Sequence, residues 1–269
     1  MSGREISELL SRHGLSPSRA LGQNFVADPN TVRRIARLAG VGAGDSVVEI
    51  GAGLGSLTLA LSETGASVTA VEIDRYLLPV LRSVVETAGV RVVEGDALRL
   101  DWASLLGGEP WVLVANLPYN VATPLVADLL DGVPQIGRML VMVQREVGER
   151  LAAAPGSPAY GAVSVKVSYW ATARVVGTVP PTVFIPQPKV ESALVSIERR
   201  AAPAVDPSQV SHERLFTVVR AGFGQRRKML RRSLAGVVAP EAFEAAGVAP
   251  TARPEELDVQ AWGRLAACG

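Results

Sequence analysis

The sequence contains 269 residues, of which 48% are hydrophobic and 20% charged, and its formal net charge is +1. Such a chain can form one large domain with a smaller second one, but its longest apolar runs are far shorter than the roughly 20 residues that span a membrane. One cysteine and two histidines exclude an internal disulfide and make a metal site unexpected. No apolar leader follows Met1, so we expect a cytoplasmic protein that binds neither a metal nor a membrane.

In chain order, the first ten residues predict a short helix, and Asp28 begins a second helix that ends near Gly40. From residue 46 onward, short β-branched runs alternate with segments of helical length. The runs cover residues 47–50, 68–73, 90–93, 112–115 and 139–143. Almost wholly apolar strands separated by helices predict an α/β fold, with a doubly wound, mostly parallel sheet covered on both faces.

The first run leads into a loop with glycine at positions 51, 53 and 55, and Glu72 ends the second run. Gly51 and Gly53 would let the backbone turn tightly and approach a ligand, and the Glu72 carboxylate would accept hydrogen bonds from both hydroxyls of a ribose. A simple tight turn would explain the glycines but not Glu72. The combination therefore predicts a nucleoside cofactor.

Two features favour S-adenosylmethionine over a dinucleotide. The loop spacing is Gly-x-Gly-x-Gly, not the dinucleotide form Gly-x-Gly-x-x-Gly. Asp96, followed by Ala97, comes just after the third run, where its carboxylate would accept from the adenine amine of the cofactor; the alternative is a turn or cap residue. Glu49 is equally consistent with a buried structural acid and with a partner of the methionine ammonium.

The fourth run ends in Asn116-Leu117-Pro118-Tyr119, at the sheet edge where open α/β folds bind ligands. The amine of adenine is a poor nucleophile, and the Asn116 side-chain oxygen with the Leu117 carbonyl would hold its N–H groups and aim its lone pair. Pro118 would present the preceding carbonyl rigidly, and Tyr119 would offer a flat face to an unstacked base. The alternative is an Asn-x-Pro turn.

Beyond residue 151 the pattern changes. Residues 163–170, 174–179 and 192–198 are predicted as successive strands at the sheet edge, and the proline-rich residues 179–188 as an ordered loop. A linker at 201–207 separates a catalytic domain, residues 1–200, from a helical domain, residues 201–269. Residues 199–232 contain nine basic and two acidic residues, and residues 223–232 are predicted to begin a basic helix that binds the RNA backbone through Arg226, Arg227, Lys228 and Arg231. A solvated helix face is the alternative.

Over nearly its whole length the sequence resembles the small-subunit ribosomal RNA adenine dimethyltransferases, the KsgA/RsmA/Dim1 group. The matching segments are Leu21-Gly22-Gln23-Asn24-Phe25, Glu49-Ile50-Gly51-Ala52-Gly53, Val71-Glu72-Ile73-Asp74, Glu94-Gly95-Asp96-Ala97, Asn116-Leu117-Pro118-Tyr119, Gln144-Arg145-Glu146-Val147, residues 183–192 and Phe223-Gly224-Gln225-Arg226-Arg227-Lys228.

The resemblance implies a class I, Rossmann-like methyltransferase that dimethylates two adjacent adenines near the 3′ end of 16S rRNA during ribosome biogenesis. It implies that Asn24 and Val26 line the cofactor site under the N-terminal segment, and that Phe184 stacks on the target base opposite Tyr119; the alternative for Phe184 is a core aromatic. The expected partner is small-subunit rRNA or an immature small subunit, bound by a monomer.

Three other functions compete with this one. A large-subunit (23S) rRNA adenine methyltransferase that confers macrolide resistance would share the fold and the chemistry. A non-catalytic RNA-binding assembly factor would share the fold without the chemistry. A nicotinamide oxidoreductase is disfavoured because no residue resembles a hydride-transfer acid.

Overall fold

Nine strands form two sheets in the computed structural model, which describes residues 1–108 and 110–269. The strands are β1 (Phe25–Val26), β2 (Ser46–Ile50), β3 (Ser67–Glu72), β4 (Arg91–Glu94), β5 (Trp111–Asn116), β6 (Ile136–Gln144), β7 (Ala171–Val179), β8 (Phe184–Ile185) and β9 (Ser192–Arg199). Seven of them form the main sheet in the order β4-β3-β2-β5-β6-β9-β7, and β1 pairs with β8 in a separate antiparallel ladder. β2 to β6 are parallel and β9 runs antiparallel to β6, which confirms the predicted doubly wound, mostly parallel sheet.

The described residues also form α-helices in both parts of the chain. They are α1 (Gly3–Arg12), α2 (Pro29–Ala39), α3 (Ser56–Ser62), α4 (Leu78–Val85), α5 (Trp102–Leu106), α6 (Ala122–Gly132), α7 (Arg145–Leu151), α8 (Ala162–Trp170), α9 (His212–Gly224), α10 (Leu230–Ser233), α11 (Pro240–Ala245) and α12 (Val259–Ala267). The bounds of α2 follow from its sequence: the Asp28 side chain accepts from two backbone N–H groups of the first turn, and Gly40 ends the helix in a left-handed conformation. Among the described residues, no helix is both long enough and apolar enough to cross a membrane.

The register of the parallel strands brings the predicted site residues to one edge of the sheet. Ile50 of β2 lies level with Val71 of β3 and with Ala115 of β5. The residues that follow these three positions, in the glycine loop, at Glu72 and at Asn116, therefore emerge side by side at the carboxyl edge.

The chain divides into two compact units, residues 1–148 with 174–198 and residues 149–173 with 199–269. The last change of unit, between Glu198 and Arg199, lies close to the predicted domain boundary at residue 200. The structure differs in assigning residues 149–173 to the second unit. We refer to the two as the sheet unit and the helical unit.

The prediction of a strand over residues 163–170 is wrong, because this segment is the helix α8. Its valines alternate with polar residues and favour a strand locally, but in the helical unit the segment packs on α9 and α12. Tyr169 lies buried there, edge-on to Phe216 with ring centroids 5.6 Å apart. Tertiary packing overrides the local preference at this position.

The predicted basic helix over residues 223–232 is also wrong in its conformation. α9 ends at Gly224, the next residues form a turn, and α10 begins only at Leu230. Arg226, Arg227 and Lys228 therefore lie on a turn between two helices.

Candidate active site

The glycine loop after β2 forms the floor of a cleft at the carboxyl edge of the sheet. Gly51 has φ +74° and Gly53 has φ +59°, values that L side chains rarely adopt. A Cβ on Gly53 would lie 2.9 Å from the Phe25 ring. The close approach of β1 to this loop thus requires glycine at position 53.

Glu72 lies in the wall of the cleft, only 4% exposed. Its two oxygens accept from Gly53 N at 2.7 Å and from Asp74 N at 2.9 Å. Burial raises the pKa of Glu72, while these hydrogen bonds act in the opposite direction. Because each carboxylate oxygen has a second lone pair, the group holds the glycine loop and can still accept from ligand hydroxyls.

Glu49 is a second buried carboxyl group that lines the cleft, and the Thr58 hydroxyl donates to it at 2.5 Å. Burial raises its pKa to about 8, the Thr58 hydrogen bond opposes this shift, and the charge of Glu72 adds to it. Among the described residues that line the cleft, none is basic. Two acids with no basic side chain beside them in the lining of the cleft fit a cationic ligand such as a sulfonium with an ammonium group, and fit a pyrophosphate poorly.

A second, mainly apolar cavity adjoins the first and shares with it the residues Leu21, Gly51, Ile73 and Pro118. Asp96 and Ala97 line it. The Asp96 side chain accepts from Leu98 N at 3.0 Å, so it shapes a turn and also faces a cavity suited to a flat apolar ring. Asp96 can therefore both shape the turn and accept a hydrogen bond from an adenine amine.

Asn116 lines the first cavity and is half-buried at the end of β5. Its side-chain Nδ2 donates to the Asn24 carbonyl at 3.0 Å. Since a carbonyl oxygen only accepts, this bond fixes the orientation of the amide and leaves Oδ1 as the acceptor at the opposite position. Leu117, Pro118 and Tyr119 also line the cavity.

The N-terminal segment covers the cleft, and part of its contribution escaped prediction. Asn24 and Val26 line the first cavity as the family resemblance implied, but Ile6 and Gln23 do so as well. The Gln23 side chain donates to Asp74 Oδ2 at 2.7 Å. Gln23 belongs to a segment that matches the family, a signal that could have identified it; Ile6 carried no such signal.

The structure does not bring Phe184 into the cleft. The side chain is 3% exposed and belongs to the hydrophobic core of the sheet unit, and its strand pairs with β1 opposite Val26. It is absent from the described residues that line either cavity. The geometry matches the core-aromatic alternative, and stacking on a target base stays a prediction.

The predicted RNA-binding residues of the helical unit differ from one another. Arg226 donates from Nη2 to the Pro158 carbonyl at 2.7 Å, and its Nε lies 3.7 Å from Glu255 Oε2. Arg227, Lys228 and Arg231 have exposed side chains. Arg226 therefore stabilises the turn that carries Arg227 and Lys228.

Comparison with known proteins agrees with this geometry. The family model described as ribosomal RNA adenine dimethylase matches residues 15–267. The chain is 50% identical to the ribosomal RNA small subunit methyltransferase A of Cutibacterium acnes, covering 94% of this chain and 89% of the relative. It is also 50% identical to the enzyme of the same name from Leifsonia xyli subsp. xyli, covering 98% and 96%.

Two solved structures share the architecture. The crystal structure of the 23S rRNA methyltransferase ErmE aligns with a TM-score of 0.71 at 26% identity, covering 91% of this chain and 98% of that one. A dimethyladenosine transferase from Plasmodium falciparum aligns with a TM-score of 0.74 at 22% identity, covering 88% and 94%. The second likeness establishes the fold alone.

Proposed function

Because the chain belongs to the ribosomal RNA adenine dimethylase family, we propose that it methylates the exocyclic amines of two adjacent adenines near the 3′ end of small-subunit rRNA. The chain is an S-adenosylmethionine-dependent methyltransferase. The observation that carries the proposal is the Asn116 amide, whose Nδ2 is held by the Asn24 carbonyl so that Oδ1 serves as an acceptor in an acid-lined cleft.

The cleft fits S-adenosylmethionine, which supplies an activated methyl group on a cationic sulfur. Glu72 would accept from the ribose hydroxyls, Asp96 and Ala97 would lie beside the adenine, and Glu49 would face the ammonium group. Gly51 and Gly53 keep the floor of the cleft free of side chains, and Asn24 and Val26 would close it from the N-terminal segment.

Asn116 Oδ1 and the Leu117 carbonyl then hold the N–H groups of the target amine, which directs the nitrogen lone pair toward the methyl group. Each transfer adds one methyl to the nitrogen, which loses one proton. After the first transfer one N–H group remains for the acceptors to hold, so the same pair can orient the second. Catalysis in this scheme consists of positioning, with Pro118 fixing the acceptors and Tyr119 stacking on the base.

The small-subunit substrate is favoured over the 23S alternative by similarity. Relatives at 50% identity are named small-subunit enzymes, whereas the 23S enzyme ErmE is 26% identical. An assembly factor without activity would not need the oriented Asn116 amide. We place the enzyme in the cytoplasm as a monomer, with Arg227, Lys228 and Arg231 binding RNA phosphates.

The decisive experiment offers labelled S-adenosylmethionine together with unmodified small or large ribosomal subunits. We expect two dimethyladenosines in the small-subunit rRNA and no label in the large subunit. Label in the large subunit would reverse the choice of substrate. Absence of transfer to either subunit, with the cofactor bound normally, would support the non-catalytic role.

A further inference from the structure

Tyr119 makes a hydrogen bond that the proposed chemistry does not yet explain. Its Oη lies 3.2 Å from Ser192 Oγ, and either hydroxyl can donate. Ser192 is completely buried at the first position of β9. Among the side chains that the structure describes, Tyr119 is the hydrogen-bond partner of this hydroxyl.

Rigid elements of the sheet unit fix the position of Ser192. Its backbone pairs with Gln144 where β6 ends. The preceding residue, Glu191, accepts from the Arg145 backbone N–H at 3.0 Å and from Arg145 Nη1 at 2.9 Å. Two segments that match the family, Gln144-Arg145-Glu146-Val147 and the end of residues 183–192, thus meet at Ser192.

The bond ties one end of the tyrosine ring to the sheet. Pro118 restricts the backbone on the other side of the ring. A tyrosine side chain has two rotatable bonds, and a held hydroxyl oxygen together with a fixed backbone leaves the position of its ring little freedom. An aromatic face that is preset in this way need not be ordered when a base is stacked on it.

Resting on the proposed function, we propose that Ser192 is a positioning residue of the methyl transfer, which holds the Tyr119 ring in the place that receives the target adenine. Because Ser192 is completely buried and bonded to the Tyr119 hydroxyl, we expect it to act on the base only through the Tyr119 ring. Its loss should therefore slow the chemical step and leave cofactor affinity unchanged.

The test is a double-mutant cycle on the single-turnover rate of methyl transfer to small subunits, with Ser192→Ala, Tyr119→Phe and their combination. Each single variant should be about two- to ten-fold slower, the range expected for one neutral hydrogen bond. The double variant should be no slower than the slower single variant, because both changes break the same bond. Affinity for S-adenosylmethionine, measured by calorimetry, should stay at the wild-type value in all three.

The matched control is Ser196→Ala, a half-buried serine on the same strand, which should react at the wild-type rate. A wild-type rate for Ser192→Ala, or losses that multiply in the double variant, would overturn the positioning role. A loss of rate explained only by a lower melting temperature would overturn it too. Tyr119→Ala separates this failure from failure of the proposed function: if that variant is as fast as wild type, the stacking role of Tyr119 is itself wrong.

Discussion

The cleft of the sheet unit and the basic turn of the helical unit, which carries Arg226, Arg227 and Lys228, differ in how they would bind their proposed ligands. In the cleft, each polar group is held by a hydrogen bond: Glu49 accepts from the Thr58 hydroxyl, Glu72 accepts from the Gly53 N–H, and Asn116 donates to the Asn24 carbonyl. In the basic turn, Arg227 and Lys228 have exposed side chains, and Arg226 alone is held at a carbonyl. The cleft thus presents a fixed geometry, whereas the turn presents charge. Changes in the cleft should alter chemistry or cofactor affinity by large factors, and changes in the turn should alter only the salt-dependent affinity for RNA.

The largest effect is expected at Asn116. Replacing Asn116 by Ala removes the oriented acceptor, and misplacing a reacting group can cost about 100-fold in rate. We expect a single-turnover rate lower by about that factor, with near-normal cofactor and RNA affinities. Asn30→Ala, an exposed asparagine on α2, is the control. A rate within a few-fold of wild type for Asn116→Ala would mean that the oriented acceptor in the cleft is not needed for methyl transfer.

Glu72→Gln should come next. The amide cannot accept at both oxygen positions as the carboxylate does, and the loss of a charge-assisted hydrogen bond costs about 1.5–3 kcal/mol. Calorimetry should show S-adenosylmethionine binding weakened by about ten-fold or more. The matched control is Glu94→Gln, an exposed acid that lies level with Glu72 on the adjacent strand. Equal affinities for both variants would remove Glu72 from the cofactor site.

Within the basic turn, Arg227 and Lys228 should contact RNA, whereas Arg226 should stabilise the fold. Arg227→Gln combined with Lys228→Gln should reduce the slope of log RNA affinity against log salt by about 1.4–1.8, the value for two phosphate contacts. Arg226→Gln should instead lower the melting temperature, because it breaks the hydrogen bond to the Pro158 carbonyl. The slope of log RNA affinity against log salt should stay nearly the same in this variant. Cofactor affinity should be unchanged in both. Equal slopes for the double variant and wild type would make the turn a solvated surface.

The smallest effect is expected at Glu49, where the change is in the pH dependence of stability and not in the rate of methyl transfer. Its pKa is about 8 in the folded protein and 4.5 ordinarily, so between these values the folded state holds a proton that the unfolded state releases. Stability should therefore fall as pH rises from about 4.5 to about 8 and change no further above that. In wild type without cofactor, the melting temperature should drop by about 5 °C between pH 6 and pH 8, on the scale of a few degrees per kcal/mol.

Glu49→Gln should remove this contribution, which thermal melts at the two pH values measure directly. Glu63→Gln, an exposed acid just after α3, should behave like wild type. An identical pH dependence in wild type and Glu49→Gln would show that Glu49 is not protonated in the folded protein. Cofactor binding at pH 7 should also release a proton from Glu49, because a bound ammonium group favours the charged carboxylate.

Most of the sheet unit was predictable because its signals are local. The apolar runs predicted the five parallel strands, and each site motif lies at the end of one of them or directly after it. Once strands are parallel, their carboxyl ends must meet at one edge, so Gly51, Glu72 and Asn116 converge without knowledge of distant contacts. The lining of the cleft by Ile6 was not predictable, because a helix of ordinary amphipathic pattern does not reveal which surface it covers.

The helical unit was less predictable for the same reason. Its charge identified a basic segment, but not its conformation or the separate position of Arg226. The strand predicted over residues 163–170 failed because alternating valines fit a strand locally while α9 and α12 provide the surface for a helix.

The sequence by itself thus determined the parallel sheet, the nucleoside cofactor and the acceptor motif, since each depends on residues that are neighbours in the chain. Only the tertiary structure decided that Phe184 packs in the core, that the Asn116 amide bonds to Asn24, and that Ser192 bonds to Tyr119. The two residues joined by each hydrogen bond are far apart in the chain, by 92 residues for Asn116 and Asn24 and by 73 for Tyr119 and Ser192. No local pattern encodes such a pairing, because it exists only after the chain has folded and brought the two side chains within reach of each other.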